Sequence, residues 1–224
     1  MPAFDLTTRH GRFATYWRHF WHDHAYLRLA SPNAHWLSPE MVRAAQPWPF
    51  QVKTWRDRGI RTIVNLRVGV DAHHVLEQEA CERYGVKHTR FVVTALEAPS
   101  RDQVLGAKQL FDDLDYPAMM HCKSGADRAG MMSVLYMHFR QKKPISEAMR
   151  QLDFRFGHVR GGHTGVLDYC FEKYVSEIEP LGVSYEDWVR SPAYDPAAIK
   201  QEFRAQWRGV LTAKLLRREL RRNG

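Results

Sequence analysis

Apolar residues are grouped along this chain in short β-branched runs that alternate with stretches of helical periodicity. Compact apolar runs predict buried strands, whereas apolar positions three or four apart predict helices. Strands are therefore expected at residues 60–66, 87–94 and 118–121, and helices at 50–58, 71–84, 100–114, 131–140, 144–152 and 165–178. This alternation predicts an α/β fold with a central, mostly parallel sheet flanked by helices.

The two ends of the chain differ from this alternating centre. Residues 13–29 combine aromatic and basic residues, and residues 33–47 form two extended pieces around Ser38. After Pro180 the pattern is irregular as far as Asp195, where a final helix begins with apolar residues at fourfold spacing. We therefore expect an N-terminal helical arm at 1–30, a central domain at 31–180, and a C-terminal extension at 181–224 that ends in a basic amphipathic helix.

The segment from Met119 to Gly130 combines the end of a strand, a short loop and the start of a helix. Its apolar run ends at Cys122, five residues lead to Arg128, and a helical pattern follows. The backbone N–H groups of such a loop and the adjoining helix dipole form a site for an anion. The same field favours the thiolate of Cys122, which predicts a nucleophile. The planar guanidinium of Arg128 can hold two phosphoryl oxygens.

Five positions of this segment match a known signature, His-Cys-x5-Arg with a glycine at the third position after the cysteine: His121, Cys122, Gly125, Arg128 and Gly130. The segment resembles the cysteine-dependent protein tyrosine and dual-specificity phosphatase superfamily. Residues 45–67 also resemble atypical phosphatases of bacteria, fungi and plants, and the resemblance covers about residues 33–178.

The resemblance implies hydrolysis of phosphate monoesters through a cysteinyl-phosphate on Cys122, without metal or cofactor. It implies a phosphate-binding loop made of Lys123, Ser124, Gly125, Ala126, Asp127 and Arg128. In the family, the histidine at position 121 tunes the thiolate. Ala129 stands where the family has serine or threonine, whose hydroxyl bonds to the cysteine sulfur. This departure predicts slow breakdown of the intermediate, a substitute hydroxyl from Ser124 or Ser133, or a weakly active module that binds phosphorylated ligands.

The family's proton donor is usually an aspartate on a loop upstream of the cysteine, and residues 91–100 contain no aspartate. Glu97 is the carboxylate of that region. Asp127, however, matches the Cys-x-x-Gly-x-Asp-Arg form of a bacterial subset, in which the loop aspartate has been proposed as the acid. We rank Asp127 first, Glu97 second and Asp102 third as general acid. The alternative for Asp127 is a structural partner of Arg128 or of a backbone N–H.

The net charge of +8 is concentrated at the two ends of the chain. Residues 200–224 hold eight Lys/Arg against two Glu, and residues 9–28 hold four Arg against one Asp. Each basic residue near an anionic membrane contributes about 1 kcal/mol, so residues 200–224 fit either such a surface or a solvated helix. The expected substrate is a phosphotyrosine or phosphoserine/threonine protein, or a phosphorylated lipid or inositol. An RNA 5′-phosphatase is an alternative, but no RNA-binding motif is visible, and no nucleic-acid partner is expected.

For the aromatic arm at residues 13–29, packing of its aromatic side chains on the domain is favoured over an interfacial membrane contact. The three cysteines lack the spacing of a disulfide framework, which indicates a reducing, cytoplasmic location. No apolar run approaches a membrane span. Membrane association would then be peripheral, at the inner face. The paired histidines lack other ligands at suitable spacing, so no metal site is expected.

Overall fold

A computed structural model of the chain describes residues 4–207, and its centre is a five-stranded sheet. The strands are β1 (His35–Ser38), β2 (Met41–Ala45), β3 (Thr62–Asn65), β4 (Lys87–Arg90) and β5 (Ala118–Cys122). Their order across the sheet is β1-β2-β5-β3-β4. β1 runs antiparallel to β2, and all other neighbours are parallel. The predicted α/β fold with a mostly parallel central sheet is confirmed.

Helices cover both faces of the sheet. They are α1 (Arg9–Trp21), α2 (Leu27–Ala30), α3 (Pro49–Asp57), α4 (Ala72–Tyr84), α5 (Arg101–Asp113), α6 (Asp127–Phe139), α7 (Ile145–Ala148), α8 (Val166–Lys173), α9 (Tyr185–Arg190), and a helix described over residues 196–207. Neighbouring strand residues point to opposite faces, so Met120 joins the core under α5, α6 and α8, whereas Met119 joins the core under α3 and α4.

The parallel strands end together at one edge of the sheet. In register, Ala45 of β2 lies beside Cys122 of β5, and Asn65 of β3 lies beside His121. The chain therefore leaves β2, β3 and β5 at the same carboxyl edge, where ligands bind in open α/β sheets.

Local signals in the sequence account for several helix boundaries. Ser100 caps α5 because its hydroxyl accepts a bond from the Gln103 N–H, while the Gln103 side-chain oxygen accepts a bond from the Ser100 N–H, as the capping box predicted. Asp71 caps α4 at its start, and Gly85 ends it in a left-handed conformation with φ of 67°. The strand expected at 87–94 is shorter, since β4 ends at Arg90.

The region after Pro180 contains a helix that the sequence reading missed. Ser184 caps α9 by accepting a bond from the Asp187 N–H, and α9 buries Tyr185 and Trp188 in the core. The prediction of irregular structure as far as Asp195 was therefore wrong. At six residues, α9 is too short to produce a clear periodic pattern.

The predicted N-terminal helix exists as α1, but the expected packing of its aromatic side chains on the domain holds only in part. Phe20 lies 6.2 Å from the ring of Trp48, whereas the aromatic face formed by Phe13, Trp17 and Trp21 does not pack on the domain. Phe13, Trp17 and Trp21 are 65%, 56% and 49% exposed. The opposite face of α1 holds the helix on the domain, because Arg12 pairs with Glu79 of α4 at 2.7 Å and buried His19 lies edge-on against the Trp48 ring. The polar side of this helix therefore faces the protein and the aromatic side faces outward.

The C-terminal helix predicted from Asp195 onward lies only partly within the described residues. Phe203 packs against the core, as one reading of the final helix expected. Residues 208–224, which carry most of the basic segment proposed to meet a membrane, lie outside the described residues. Within residues 4–207, none of the helices has the length and apolarity to cross a bilayer.

Candidate active site

The loop between β5 and α6 joins the predicted nucleophile to a helix start. Cys122 is the last residue of β5 and is buried, and α6 begins at Asp127. Ala126 at the N-cap provides no side-chain acceptor for the first N–H groups of α6. Those groups and the helix dipole therefore remain available to an anion held in the loop.

The carbonyl groups of this loop are held from outside. Asn33 Nδ2 donates to the Ser124 carbonyl at 2.9 Å. Arg43 Nη2 donates to the carbonyls of Gly125 at 2.6 Å and Ala126 at 3.0 Å. In a planar trans peptide the carbonyl and the next N–H point in opposite directions. These three bonds therefore turn the following N–H groups toward the inside of the loop, which is ordered as an anion cradle.

Arg43 is a buried side chain of β2 that lies directly beneath the loop. Its Nη1 donates to the backbone carbonyl of Gln151 at 2.6 Å and to its side-chain oxygen at 2.9 Å, and its guanidinium lies 4.1 Å from the centroid of the Phe156 ring. Burial lowers the pKa of Arg43 to about 10, while the nearby Cys122 sulfur acts in the opposite direction. Arg43 is thus cationic at neutral pH and places a positive charge beneath the loop.

The signature glycine, Gly125, is required by two features of the loop. Its φ of +75° lies in the left-handed region that side chains disfavour. A Cβ atom at this position would also lie 2.7 Å from the Ala45 nitrogen and 2.8 Å from the Ala44 carbonyl carbon. The loop can therefore pack against the end of β2 only with glycine here.

A buried carboxylate, Glu77 of α4, orients the histidine that precedes the nucleophile. Its Oε1 lies 3.0 Å from His121 Nε2 and 2.8 Å from His88 Nε2, and it accepts a bond from Asn65 Nδ2 at 3.0 Å. Burial acts to raise the pKa of Glu77, but the bonds and charges of His121 and His88 outweigh it and lower the pKa. The ring of His121 is therefore fixed by an ionised partner that lies 44 residues earlier in the chain.

This network continues from Glu77 to the N-terminal arm. Gln46 Nε2 donates to Glu77 at 2.6 Å, and the Gln46 side-chain oxygen accepts a bond from Arg67. Arg67 also grips both oxygens of Asp23, at 2.6 and 3.0 Å. Burial acts to raise the pKa of Asp23, and the bonds from Arg67 outweigh it and lower the pKa. Asp23 in turn lies 3.6 Å from the ammonium of Lys123 on the loop rim.

Asp127, the first-ranked acid, is held by a histidine that the sequence reading did not single out. His158 Nδ1 lies 2.7 Å from Asp127 Oδ1, and His158 Nε2 lies 2.6 Å from Asp168 Oδ2. Burial alone would lower the pKa of His158, but its bonds to the two carboxylates raise it to about 9. Burial acts to raise the pKa of Asp127, and the bonds from His158 and Thr164 outweigh it and lower the pKa.

Comparison with known protein families finds a match over the centre of the chain. Residues 38–141 match the family model described as "Polymorphic toxin system, DSP-PTPase phosphatase". The matched segment contains the Cys122 loop and most of the strands of the sheet. The resemblance expected from the Cys122 loop is confirmed. His158 and Asp168 lie outside the matched segment, which ends at residue 141.

Solved structures show the same fold. TpbA of P. aeruginosa is 18% identical and aligns with a TM-score of 0.52 over 77% of this chain and 91% of that chain. A cysteine-to-serine variant of P. aeruginosa TpbA in complex with phosphotyrosine is 19% identical, with a TM-score of 0.52 over 68% of this chain and 88% of that chain. None of the curated proteins compared with the chain matches it.

The other predicted acids of the phosphatase domain lie apart from the loop's contacts. Glu97 forms an ion pair with Lys200 of the final helix. It lines a groove of about 520 Å³ together with Leu96, His163, Val166, Phe203 and Trp207. Asp102 lies in the first turn of α5. Asp127 is therefore the candidate acid that belongs to the phosphate loop itself.

The missing hydroxyl at Ala129 is not supplied by Ser133 in this arrangement. The Ser133 hydroxyl donates to the Ala129 carbonyl at 2.6 Å within α6. Ser124 is exposed and lines an outer cleft with Asn33 and Arg155. Gly130 permits close packing of α6, because a Cβ there would lie 2.9 Å from the Leu152 side chain.

The residues that sequence reasoning missed are the supports of the phosphatase loop, namely Arg43, Glu77 and His158. Arg43 carried a usable signal, since arginine in the middle of an otherwise apolar strand is rarely buried without a specific partner. Glu77 occupies an apolar-facing position on α4, which is a similar but weaker signal. His158 lies in a glycine-rich connector without periodicity, and nothing local points to its partners.

Proposed function

We propose that this chain hydrolyses phosphate monoesters through a cysteinyl-phosphate intermediate on Cys122. The thiolate attacks phosphorus, the bond to the leaving oxygen breaks, and water then releases phosphate from sulfur. The loop N–H groups and Arg128 stabilise the equatorial oxygens as their charge grows. Because the loop supplies the positive field, the reaction uses no metal or other cofactor.

The observation that carries this proposal is the fixed orientation of the loop. Its carbonyls are bonded outward by Asn33 and Arg43, which directs the N–H groups that follow them to the inside of the loop. Such preorganised donors are what stabilises an oxyanion transition state. A weakly active binding module, the alternative suggested by Ala129, would use the same cradle without completing turnover.

Turnover of an aryl phosphate by the wild type and by Cys122→Ser tests the proposal. We expect turnover by the wild type and none by Cys122→Ser. We also expect a mass gain of one phosphoryl group on the acid-quenched wild type. Cys170→Ser is the matched control: burial raises the pKa of the Cys170 thiol to about 12, which removes it as a competing nucleophile. Phosphate binding without turnover in the wild type would favour the binding module.

For the substrate class, we propose a phosphate monoester presented at a lipid surface. The aromatic face of α1 points outward, and aromatic residues of this kind favour the membrane–water interface. The arm that carries this face also reaches the loop rim, where Asp23 contacts Lys123. A lipid docked on α1 would therefore present its headgroup on the same side of the domain as Cys122. Phosphoprotein substrates are the competing class.

Trp17 and Trp21 provide a test of the lipid proposal. We expect Trp17→Gln/Trp21→Gln to lose turnover of a phosphomonoester lipid in anionic vesicles while keeping turnover of a soluble aryl phosphate. Phe154→Gln, which removes an aromatic side chain that is 80% exposed elsewhere, is the control. Equal turnover on vesicles by both variants, together with faster turnover of a phosphotyrosine peptide, would favour the protein substrate.

A further inference from the structure

Asp127, His158 and Asp168 form a continuous chain of hydrogen bonds that begins in the phosphate loop and ends in α8. The two bonds of the His158 ring are 2.7 Å and 2.6 Å long, and the ring is buried. Asp168 is also buried, whereas the Asp127 side chain remains 29% exposed. Solvent therefore reaches this row of hydrogen bonds at Asp127, in the loop, whereas Asp168 at the other end is shielded from solvent.

Asp127 alone is poorly suited to donate a proton at neutral pH. Its bond from His158 lowers the pKa of the carboxyl group, so the carboxylate form prevails. The same bond, together with that to Asp168, raises the pKa of His158 to about 9. The pair consequently holds one proton at neutral pH, on the imidazole rather than on the carboxylate.

We infer that Asp127 and His158 act together as the general acid and base of this site, with Asp168 as the positioning residue for His158. This inference rests on the proposed phosphatase function. Asp127 is then the outer end of a proton relay and not a lone acid. The glycine-rich connector at residues 157–165, which lies outside the matched segment, takes part in the reaction through His158.

In the first step, a bond forms between the Cys122 sulfur and phosphorus, and the bond from phosphorus to the leaving oxygen breaks. The leaving oxygen takes a proton from the carboxyl group of Asp127 as His158 Nδ1 passes its own proton to that group. The alcohol departs and the imidazole becomes neutral.

In the second step, a water oxygen bonds to phosphorus and its proton passes through Asp127 back to His158 Nδ1. The sulfur–phosphorus bond breaks, and its electron pair returns to Cys122 as thiolate. The proton used in the first step is thereby restored in the second, and phosphate is the product.

Four other charged side chains line the cleft beside His158, and three of them lie in ion pairs. The cleft beside the ring is lined by Arg150, Asp153, Arg160 and Glu172 in addition to Asp168. Arg160 pairs with Glu172, and Asp153 lies 3.7 Å from Arg155. On the loop side, Cys122, Arg128 and the buried Arg43 lie on the elements that carry or contact Asp127. Asp127 and Asp168 are thus the acidic partners in direct contact with the ring.

If His158 supplies the proton, removing it should lower kcat/KM by an amount that depends on the leaving group. General acid catalysis contributes roughly 10²–10⁴-fold for a leaving group that needs a proton. We therefore expect His158→Gln to lower kcat/KM for an alkyl phosphate by about 100-fold or more. The kcat/KM of an aryl phosphate with an acidic phenol should change little, because that phenol leaves without protonation and kcat/KM does not report the second step.

The pH profile of Asp168→Asn distinguishes a proton relay from a purely structural role of His158 in supporting the loop. Removing this carboxylate lowers the pKa of His158, so the basic limb of the alkyl phosphate profile should move to lower pH by about one unit or more. Glu172→Gln, one turn further along α8, is the matched control and should leave the profile unchanged. Equal losses of kcat/KM on both substrates in His158→Gln, or an unmoved basic limb in Asp168→Asn, would overturn the inference.

A titration of the histidine ring signals by NMR gives a readout that does not depend on turnover. The signal absent from His158→Gln should titrate near pH 9 in the wild type, and a midpoint below 7 would refute the relay. Failure of the proposed function looks different, since the wild type would then fail to turn over even the aryl phosphate while the ring still titrated near 9.

Discussion

Arg43→Met should destabilise the domain and disorder the phosphate loop. The guanidinium satisfies three buried carbonyls, those of Gly125, Ala126 and Gln151, at 2.6 to 3.0 Å. An unsatisfied buried group costs about 1–3 kcal/mol, so the loss is roughly 3–6 kcal/mol after partial relaxation. For a chain of this size, that corresponds to a fall in Tm of about 2–4 °C per kcal/mol.

A change at Arg43 should also impair catalysis, because this side chain fixes two successive carbonyls of the loop. Loss of one oxyanion donor costs about 10²–10³ in kcat, and we expect a loss in this range for Arg43→Lys, which keeps the charge but lacks the fork. The assay is kcat/KM for an aryl phosphate, with inhibition by vanadate, measured below the Tm of each variant.

Arg155→Met is the control for the Arg43 variants. Arg155 lies 4.7 Å from the centroid of the same Phe156 ring but is exposed, so this change removes a cation over that ring without touching the loop carbonyls. A folded Arg43→Lys variant with kcat/KM within about threefold of the wild type would refute the idea that Arg43 orders the loop.

Three further outcomes follow from the same contacts. Glu77→Gln should lose about 3–5 kcal/mol of unfolding free energy in denaturant titrations, because it breaks a buried pair with His121; a loss below about 1 kcal/mol would contradict this. Gly125→Ala should abolish turnover, whereas Gly69→Ala, which has a similar φ but open space, should lose only about 1–2 kcal/mol of stability. His158 has a raised pKa in the folded state, so its contribution to stability is complete below its ordinary pKa of 6.5 and is lost as pH rises through about 9. Denaturant titrations of the wild type and of His158→Gln across this pH range measure that contribution. A difference in unfolding free energy between the two that grows with pH would contradict it.

The fold and the chemical core of the site could be predicted because their signals are local. β3 is a β-branched run whose four residues are all buried, and α5 begins at a capping box that needs only residues 100 and 103. The phosphate loop is contained within a dozen residues, from Met119 to Gly130. Each of these features depends on neighbours in sequence, so periodicity and spacing are sufficient to find them.

The supports of the loop could not be predicted because they depend on contacts between distant residues. The orientation of the α1 aromatic face shows the same difficulty. An amphipathic pattern predicts that one face is buried, but in α1 the ion pair from Arg12 to Glu79 and the buried His19 place the polar side inward. Pairing partners on α4 decided the outcome, and nothing within residues 9–21 identifies them.

The side chains that support the loop are far in sequence from the loop residues that they contact. Arg43 reaches Gly125 across 82 residues, Glu77 reaches His121 across 44, and His158 reaches Asp127 across 31. Closing such loops costs conformational entropy that only the folded sheet and its helices offset. The inward orientation of the N–H groups is therefore a property of the folded domain, not of the signature. A change at position 43, 77 or 158 should thus impair the reaction even though the signature itself remains intact.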